Sequence, residues 1–541
     1  MKLVTIAEMR TIEQQADATG LSFDDMMENA GRGLAEEIQM LPYGGEDETT
    51  EALGLIGAGN NGGDALIALA HLATAGWRTR AYLLNRKADA YVERLVKAGG
   101  EIILAESDKK FEKLTGLIET TDVIVDGLLG IGLKLPLRAE TAALLNAVNN
   151  AIAEQIWPPY VVAVDCPSGV DGDSGQVAPE TIPASITACM GAVKRGLLQF
   201  PAFELAGELR VVDIGLTEKQ TEWEALKHFV ADDELVAELL PTRTADSHKG
   251  TFGTALVVAG SINYTGAALL AGKAAYRVGT GLVQMAVPGP LHNALAGHFP
   301  EATWILLPQE MGVIAESAAG VLTKNLERAT ALLVGPGLGS EDTTRNFVEN
   351  LLSGKNSPKK PGGRIGFVQV SAAQTEEAAS ILPPLVLDAD ALRHLAKIEG
   401  WAKRLPTPAV LTPHPGEMAA LTGLEKDEIQ KDRLSIALKY AAEWGHVVVL
   451  KGAFTVVAAP DGRSTTIPVA TSALAHAGTG DVLAGLIVGL RAQGVDAYDA
   501  AVTGAWVHAQ AGLYAAERVG SEASVLASDI LDAVAEVLSG F

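Results

Sequence analysis

Scarcity of cysteine is the first constraint. Cys166 and Cys189 are the only two in 541 residues, too few for a disulfide framework and in keeping with a reducing compartment. Cations are also short: 42 Lys and Arg stand against 66 Asp and Glu, for a formal net charge of −24. Phosphate-backbone recognition needs clustered Lys and Arg, so this balance argues against a nucleic-acid partner. An anionic small molecule can still be held by backbone N–H groups and a few local cations. No apolar run approaches the roughly 20 residues that a membrane helix requires. The opening Met1–Arg10 runs into charged helical sequence without a signal-peptide pattern. A cytoplasmic protein with no membrane partner is expected.

What is present is a long chain with an ordinary core. Hydrophobic residues make up 48% of it, and 541 residues exceed what one core usually organises, so two domains are expected. Apolar runs at 51–57, 79–84, 101–105, 121–126, 160–165 and 208–213 alternate with helical patterns, clearest at 64–75, 88–98 and 140–153. The pattern lapses around 216–245. It restarts at Thr254 and continues through 282–287, 331–335, 385–388, 409–412 and 446–450, then closes on helices near 481–491, 498–516 and 526–538. Such alternation predicts mostly parallel sheets covered by helices on both faces. The expected domains are 1–220 and 221–541, with a basic, Pro/Gly-rich insertion from Ser353 to Arg364.

In the first half, Gly57-Ala-Gly-Asn-Asn-Gly-Gly-Asp64 follows a strand and opens a helix. Glycines there let backbone approach a phosphate at a helix N-terminus, although such a turn can be purely structural. The side chains of Asn60, Asn61 and Asp64 add polar groups that a plain turn does not need. Asp126, Asp165 with Ser168, and Lys194 fall near other strand ends, where open α/β sheets place ligands. A lone Asp in such a place is more often a helix cap; several around a glycine loop point to a site.

In the second half, Gly478-Thr-Gly-Asp481 precedes an apolar helix. Backbone N–H groups at such a terminus make an anion hole, and Asp481 in the first turn is either a cap or a base for an attacking hydroxyl. Lys451-Gly-Ala-Phe-Thr, Gly335-Pro-Gly-Leu-Gly and Asp388-Ala-Asp lie at further strand ends. Gly272-Lys273 is followed by Ala, with Ala at 267, so no Walker A loop is present.

The first half resembles the NAD(P)H-hydrate epimerase family in Met9-Arg-Thr-Ile-Glu, Met26-Met-Glu-Asn-Ala-Gly-Arg, Asn60-Asn-Gly-Gly-Asp, Val164-Asp-Cys-Pro-Ser-Gly-Val-Asp and Lys194-Arg-Gly-Leu. The resemblance implies a Rossmann-like fold that holds hydrated NADH or NADPH (NADHX, NADPHX) with Asn60, Asn61, Gly62, Gly63, Asp64, Gly130, Ile131, Gly132, Leu133, Lys134, Leu135 and Pro136. It also implies Asp165 as acid–base residue and K⁺ on Asn61, Asp126 and Ser168. Ala65 stands where that family more often has Gly.

The second half resembles the ribokinase-like superfamily and, within it, the ADP-dependent NAD(P)H-hydrate dehydratases. The residues are His248-Lys-Gly-Thr-Phe-Gly, Tyr264-Thr-Gly-Ala-Ala, Gly279-Thr-Gly-Leu-Val, Leu411-Thr-Pro-His-Pro-Gly-Glu and Gly478-Thr-Gly-Asp. By position this implies hydrated nucleotide on Ala267, Gly335, His414 and Asp481, and ADP on Lys451, Gly452, Ala453, Phe454, Thr455 and Gly480. Mg²⁺ would accompany ADP. Ser472 stands where the family more often has Asn. A homo-oligomer is expected by the same analogy. The enzymatic alternative is an ATP-dependent kinase of a sugar or vitamin precursor, and a non-catalytic nucleotide sensor is a further one.

Overall fold

A computed structural model describes residues 1–42, 50–353, 382–406 and 408–541. It divides into two compact units, Met1–Val230 and Ala231–Phe541. The expected insertion falls, from Gly354 onward, outside the described residues.

The first unit is built on seven strands: β1 Glu51–Ile56, β2 Arg78–Leu83, β3 Glu101–Leu104, β4 Val123–Gly127, β5 Tyr160–Val164, β6 Ile186–Met190 and β7 Glu208–Val212. They hydrogen-bond in the order β3-β2-β1-β4-β5-β6-β7, and every pair is parallel. The order reverses at β1, and the crevice beside that switch point is where such sheets bind ligands. Alternation along β1 sorts the two cores. Ala52 and Ile56 pack with Leu66 and Leu69 of the helix Asn60–Thr74, while Leu53 and Leu55 pack with Leu144 and Val148 of the helix Ala139–Ala153. β6 is absent from the sequence-expected strands. Its Ile-Thr-Ala-Cys-Met has no long apolar run, yet it lies in mid-sheet, wholly buried, with the Thr187 hydroxyl donating to Ala206 O.

The second unit holds β8 Thr254–Val258, β9 Leu282–Pro288, β10 Thr303–Leu307, β11 Ala331–Val334, β12 Leu385–Leu387, β13 Val410–Leu411, β14 Val447–Leu450, β15 Val456–Ala458 and β16 Ser464–Thr466. Their order is β16-β15-β14-β13-β12-β11-β8-β9-β10. The sheet is parallel from β14 to β10 and antiparallel at β15 and β16. Ala255 and Val257 of β8 face the helices Thr265–Arg277, Thr479–Ala492, Ala497–Val519 and Ala527–Leu538; Leu256 and Val258 face Ala318–Thr323 and Asp342–Ser353. Both units are thus three-layer α/β folds, Rossmann-like and ribokinase-like respectively. No helix among the described residues is long and apolar enough to cross a membrane.

Candidate active sites

In the first unit the helix starts at Asn60, with Gly59 as its cap residue, four residues before the expected Asp64. Asn60 to Asp64 therefore form the first turn rather than the loop. The turn is tight because Gly57 lies against β4: a Cβ there would sit 1.8 Å from Leu128 O. Beside it opens a cavity of about 710 Å³. Its walls include Gly57–Asn61 and Gly130–Lys134, with Arg10 and Glu13 from the helix Ile6–Ala18, and Thr141 and the cap residue Arg138 at the start of the helix Ala139–Ala153. Gly62, Gly63, Asp64, Leu135 and Pro136 do not line it. Ala65 does not reach it either, since its methyl points into the core toward Gly127, where a Cβ would lie 2.8 Å away.

Asn61, Asp126 and Ser168 do come together. Ser168 Oγ donates to Asp126 Oδ1 at 2.6 Å, Ser168 N donates to Oδ2 at 2.8 Å, and Leu129 N donates to Ser168 Oγ at 2.9 Å. Asn61 Nδ2 donates to Val164 O at 2.6 Å and Leu129 O at 3.2 Å. Asp126 is fully buried, and burial raises its pKa against the opposing hydrogen bonds from Ser168 and Leu128. Those partners are neutral, and no Lys or Arg is paired with it among the described residues. A buried carboxylate among hydroxyl and carbonyl oxygens, with no cation of its own, suits a monovalent cation.

Asp165 lies behind the cavity wall, 5% exposed, at φ +68. That left-handed conformation costs a non-glycine residue of order 1–3 kcal/mol and recurs at functional sites. Asp165 Oδ1 accepts from Met190 N at 2.9 Å and from Lys194 Nζ, and Lys194 also donates to Met190 O and Ala192 O, each at 3.0 Å. Burial is the largest influence on Lys194 and lowers its pKa, but Asp165 with Cys189 and Cys166 together make the net shift upward. Asp64, buried one turn into its helix, has its pKa raised well above normal by burial, with Asp165 and Glu13 adding to it.

In the second unit the site assembles at the N-terminus of the helix Thr479–Ala492, with Gly478 as cap residue and Asp481 in the first turn. Lys451, at the end of β14, reaches it: a Cβ on Gly480 would lie 3.3 Å from Lys451 Nζ. Lys451 Nζ is 2.7 Å from Asp388 Oδ1 and 3.9 Å from Glu417 Oε2. Asp388 is 1% exposed and also accepts from Thr412 Oγ1 at 2.6 Å. Burial alone would lower the Lys451 pKa, but Asp388 and Glu417 raise it, so a charged ammonium stands at the anion hole. Asp481 has the opposite fate. Burial first, then the charges of Asp388, Asp390 and Glu417, push its pKa up to about 7, against the pull of Lys451.

His414 caps the helix Pro415–Thr422, its Nδ1 accepting from Gly416 N at 2.9 Å and Glu417 N at 3.3 Å. Burial, with Lys451 and Arg393, lowers its pKa to about 4, so the imidazole is neutral at physiological pH. Gly335, at φ +143, passes so close to β12 that a Cβ would sit 1.8 Å from Asp388 O. Ala267 borders the same loop, 2.9 Å from where a Cβ on Gly337 would be. Phe454 of the Lys451–Thr455 turn and Ala389, next to Asp388, also have positive φ, so the second site too is strained. Ser472 bonds Glu522 at the surface instead of entering the loop. Glu13, Arg10, Glu417 and Asp390 were not among the expected site residues, although all four stand inside motifs named above.

Residues 255–358 and 366–536 match the family described as NAD(P)H-hydrate dehydratase, and residues 23–196 match the YjeF-related protein N-terminus. A relative from Moorella thermoacetica, a bifunctional NAD(P)H-hydrate repair enzyme, is 36% identical over 99% of this chain and 97% of its own length. A relative of the same description from Thermofilum pendens is 34% identical over 96% of this chain and 93% of its own. The chain belongs to the bifunctional NAD(P)H-hydrate repair enzyme family. It is accordingly an enzyme of two activities, an epimerase and a dehydratase of hydrated NAD(P)H, and the small-molecule kinase alternative falls away. Among solved structures, the ADP/ATP-dependent NAD(P)H-hydrate dehydratase of Bacillus subtilis, co-crystallised with ATP/Mg²⁺, is 32% identical; the match covers 58% of this chain and 99% of that one at a TM-score of 0.46.

Proposed function

We propose that the first unit epimerises NADHX and NADPHX in the cavity beside Asn60 and Gly130–Lys134, and that the second dehydrates the S form at Asp481 with ADP. The observation that carries the second assignment is a carboxyl with pKa about 7 in the first turn of a helix whose anion hole also receives the Lys451 ammonium. A base so tuned is about half ionised at neutral pH and still basic enough to take a proton. Asp481 removes the proton of the C6 hydroxyl, whose oxygen attacks the terminal phosphorus of ADP and releases AMP. Phosphate then leaves C6 with the bonding pair, a proton is lost from C5 to solvent, and the C5=C6 bond so formed restores the dihydropyridine. Lys451, the N–H groups of Gly480 and its neighbours, and the Gly452–Thr455 turn hold the phosphates where charge develops. Ala267, Gly335 and His414 border the hydrated nucleotide.

In the first unit Asp165 is the proposed acid–base residue, oriented by Lys194. Asn61, Asp126 and Ser168 would hold K⁺, which neutralises the Asp126 charge and rigidifies the Gly130 loop. No three His, Cys, Asp or Glu side chains converge as a metal site among the described residues, so Mg²⁺ would be held chiefly by the ADP phosphates and water, its usual habit. ADP as phosphoryl donor, a homo-oligomeric assembly and a cytoplasmic location rest on the family resemblance. Incubating pure (S)-NADHX with ADP or ATP and following NADH, AMP and phosphate tests the donor: AMP and NADH in equal amounts support it. NADH formation without nucleotide cleavage would refute it.

A further inference from the structure

The epimerase cavity contains one carboxyl group that none of these roles uses. Glu13 projects from the helix Ile6–Ala18, whose Met9, Ile12 and Ala16 are buried in the core, so its position on the helix is fixed. Among the described residues it is the sole Asp or Glu lining the cavity, and it shares the wall with Asn61, Gly130 and Arg10. Asp165 and Asp64, both nearly buried, are its acidic neighbours rather than lining residues. Glu13 is faced by Arg10 from its own helix, by Asp165 from the end of β5, by Lys194 from the segment after β6, and by Asp64 from the helix Asn60–Thr74.

We infer that Glu13 is a second catalytic residue of the epimerase unit, the general acid at the C6 hydroxyl, paired with Asp165 as base. Inversion at C6 needs a proton delivered on one side of the ring and one removed on the other, which a single carboxyl cannot do in one binding pose. In its protonated form the Glu13 carboxyl gives its proton to the C6 hydroxyl. The C6–O bond breaks, water departs with the bonding pair, and the N1 lone pair closes an N1=C6 iminium. A second water attacks the opposite face; its oxygen bonds C6, the π pair returns to N1, and Asp165 takes the proton. One proton has left Glu13 and one has reached Asp165, so the pair is set for the reverse inversion and otherwise resets through solvent. The environment suits the donor role, because burial, with Asp165, raises the Glu13 pKa against the pull of Lys194 and Arg10. Two carboxyls in unlike surroundings are a recurrent way to assign acid and base.

This inference rests on the epimerase reading of the first unit, and the two fail differently. The full chain, with K⁺ but without ADP so that the inverted product is not dehydrated, is given pure (R)-NADHX in ¹⁸O-labelled water, beside a control without enzyme. Wild type is expected to consume the R form faster than the control and to place solvent oxygen at C6 of the inverted product. Glu13→Gln is expected to slow R-form consumption about 10²–10⁴-fold, to lose the alkaline limb of the pH–rate profile, and to leave dehydration of (S)-NADHX at the wild-type rate. Glu13→Asp should restore part of the epimerisation, which a structural role alone would not require. Unchanged epimerisation in Glu13→Gln, an alkaline limb that persists in it, or inversion without label overturns the role of Glu13. A wild type no faster than the control overturns the epimerase reading itself.

Discussion

Removing the Asp481 carboxylate should make the protein more stable and nearly inactive in dehydration. The folded pKa of Asp481 is about 7 against an ordinary 3.8, because burial and the charges of Asp388, Asp390 and Glu417 oppose ionisation. A carboxyl with a raised folded pKa costs stability once pH exceeds its unfolded value, and the cost is complete above the folded one. A shift of about three units at roughly 1.4 kcal/mol each sets that cost on the order of 4 kcal/mol at pH 8, falling below about 2 kcal/mol at pH 5. Asp481→Asn keeps the shape and removes the charge. Its denaturation midpoint in urea should therefore exceed that of wild type clearly at pH 8 and much less at pH 5. The same variant should dehydrate (S)-NADHX about 10²–10⁴-fold more slowly while epimerisation persists. In the wild type the dehydration rate should rise with pH through about 7, as Asp481 loses its proton. A variant no more stable at pH 8 than at pH 5, relative to wild type, would refute the electrostatic reasoning; equal loss of both activities in folded protein would refute the assignment.

Lys451→Met removes the cation that lowers the Asp481 pKa, so the rising limb should move to higher pH and KM for ADP should increase; a limb left in place counts against the coupling. Asp126→Asn should abolish activation of epimerisation by K⁺ while leaving dehydration intact, read by titrating K⁺ against R-form consumption. In Gly335→Ala the new methyl would meet Asp388 O at 1.8 Å and be forced to φ +143, so a lowered melting temperature should accompany lost dehydration.

Much of this was legible along the chain. The Gly57–Asp64 turn, the Gly478–Asp481 loop and most central strands announce themselves through glycine placement and apolar runs. β6 does not, because Thr187 and Cys189 interrupt its apolar character and only burial in mid-sheet fixes it. Pairings across the sheet were also beyond a linear reading. Lys194 is 29 residues from Asp165, and Lys451 is 63 from Asp388; each pair meets because parallel strands deliver their ends to one edge. Glu13 stood in a motif, but whether it faced a cavity or solvent depends on how its helix docks. The division at Val230 rather than residue 220 is likewise spatial: Val230 N donates to Met1 O at 2.8 Å, returning 221–230 to the N-terminal strand region.

Two complementary activities on one chain can be read together from the near-UV absorbance of an R and S mixture of NADHX incubated with the protein, K⁺, Mg²⁺ and ADP. Hydration abolishes the dihydropyridine band, so its return reports repair. With both activities present, recovery passes the S fraction and runs faster than spontaneous epimerisation. Recovery that halts at the S fraction, or none at all from folded protein, would contradict the two-activity assignment.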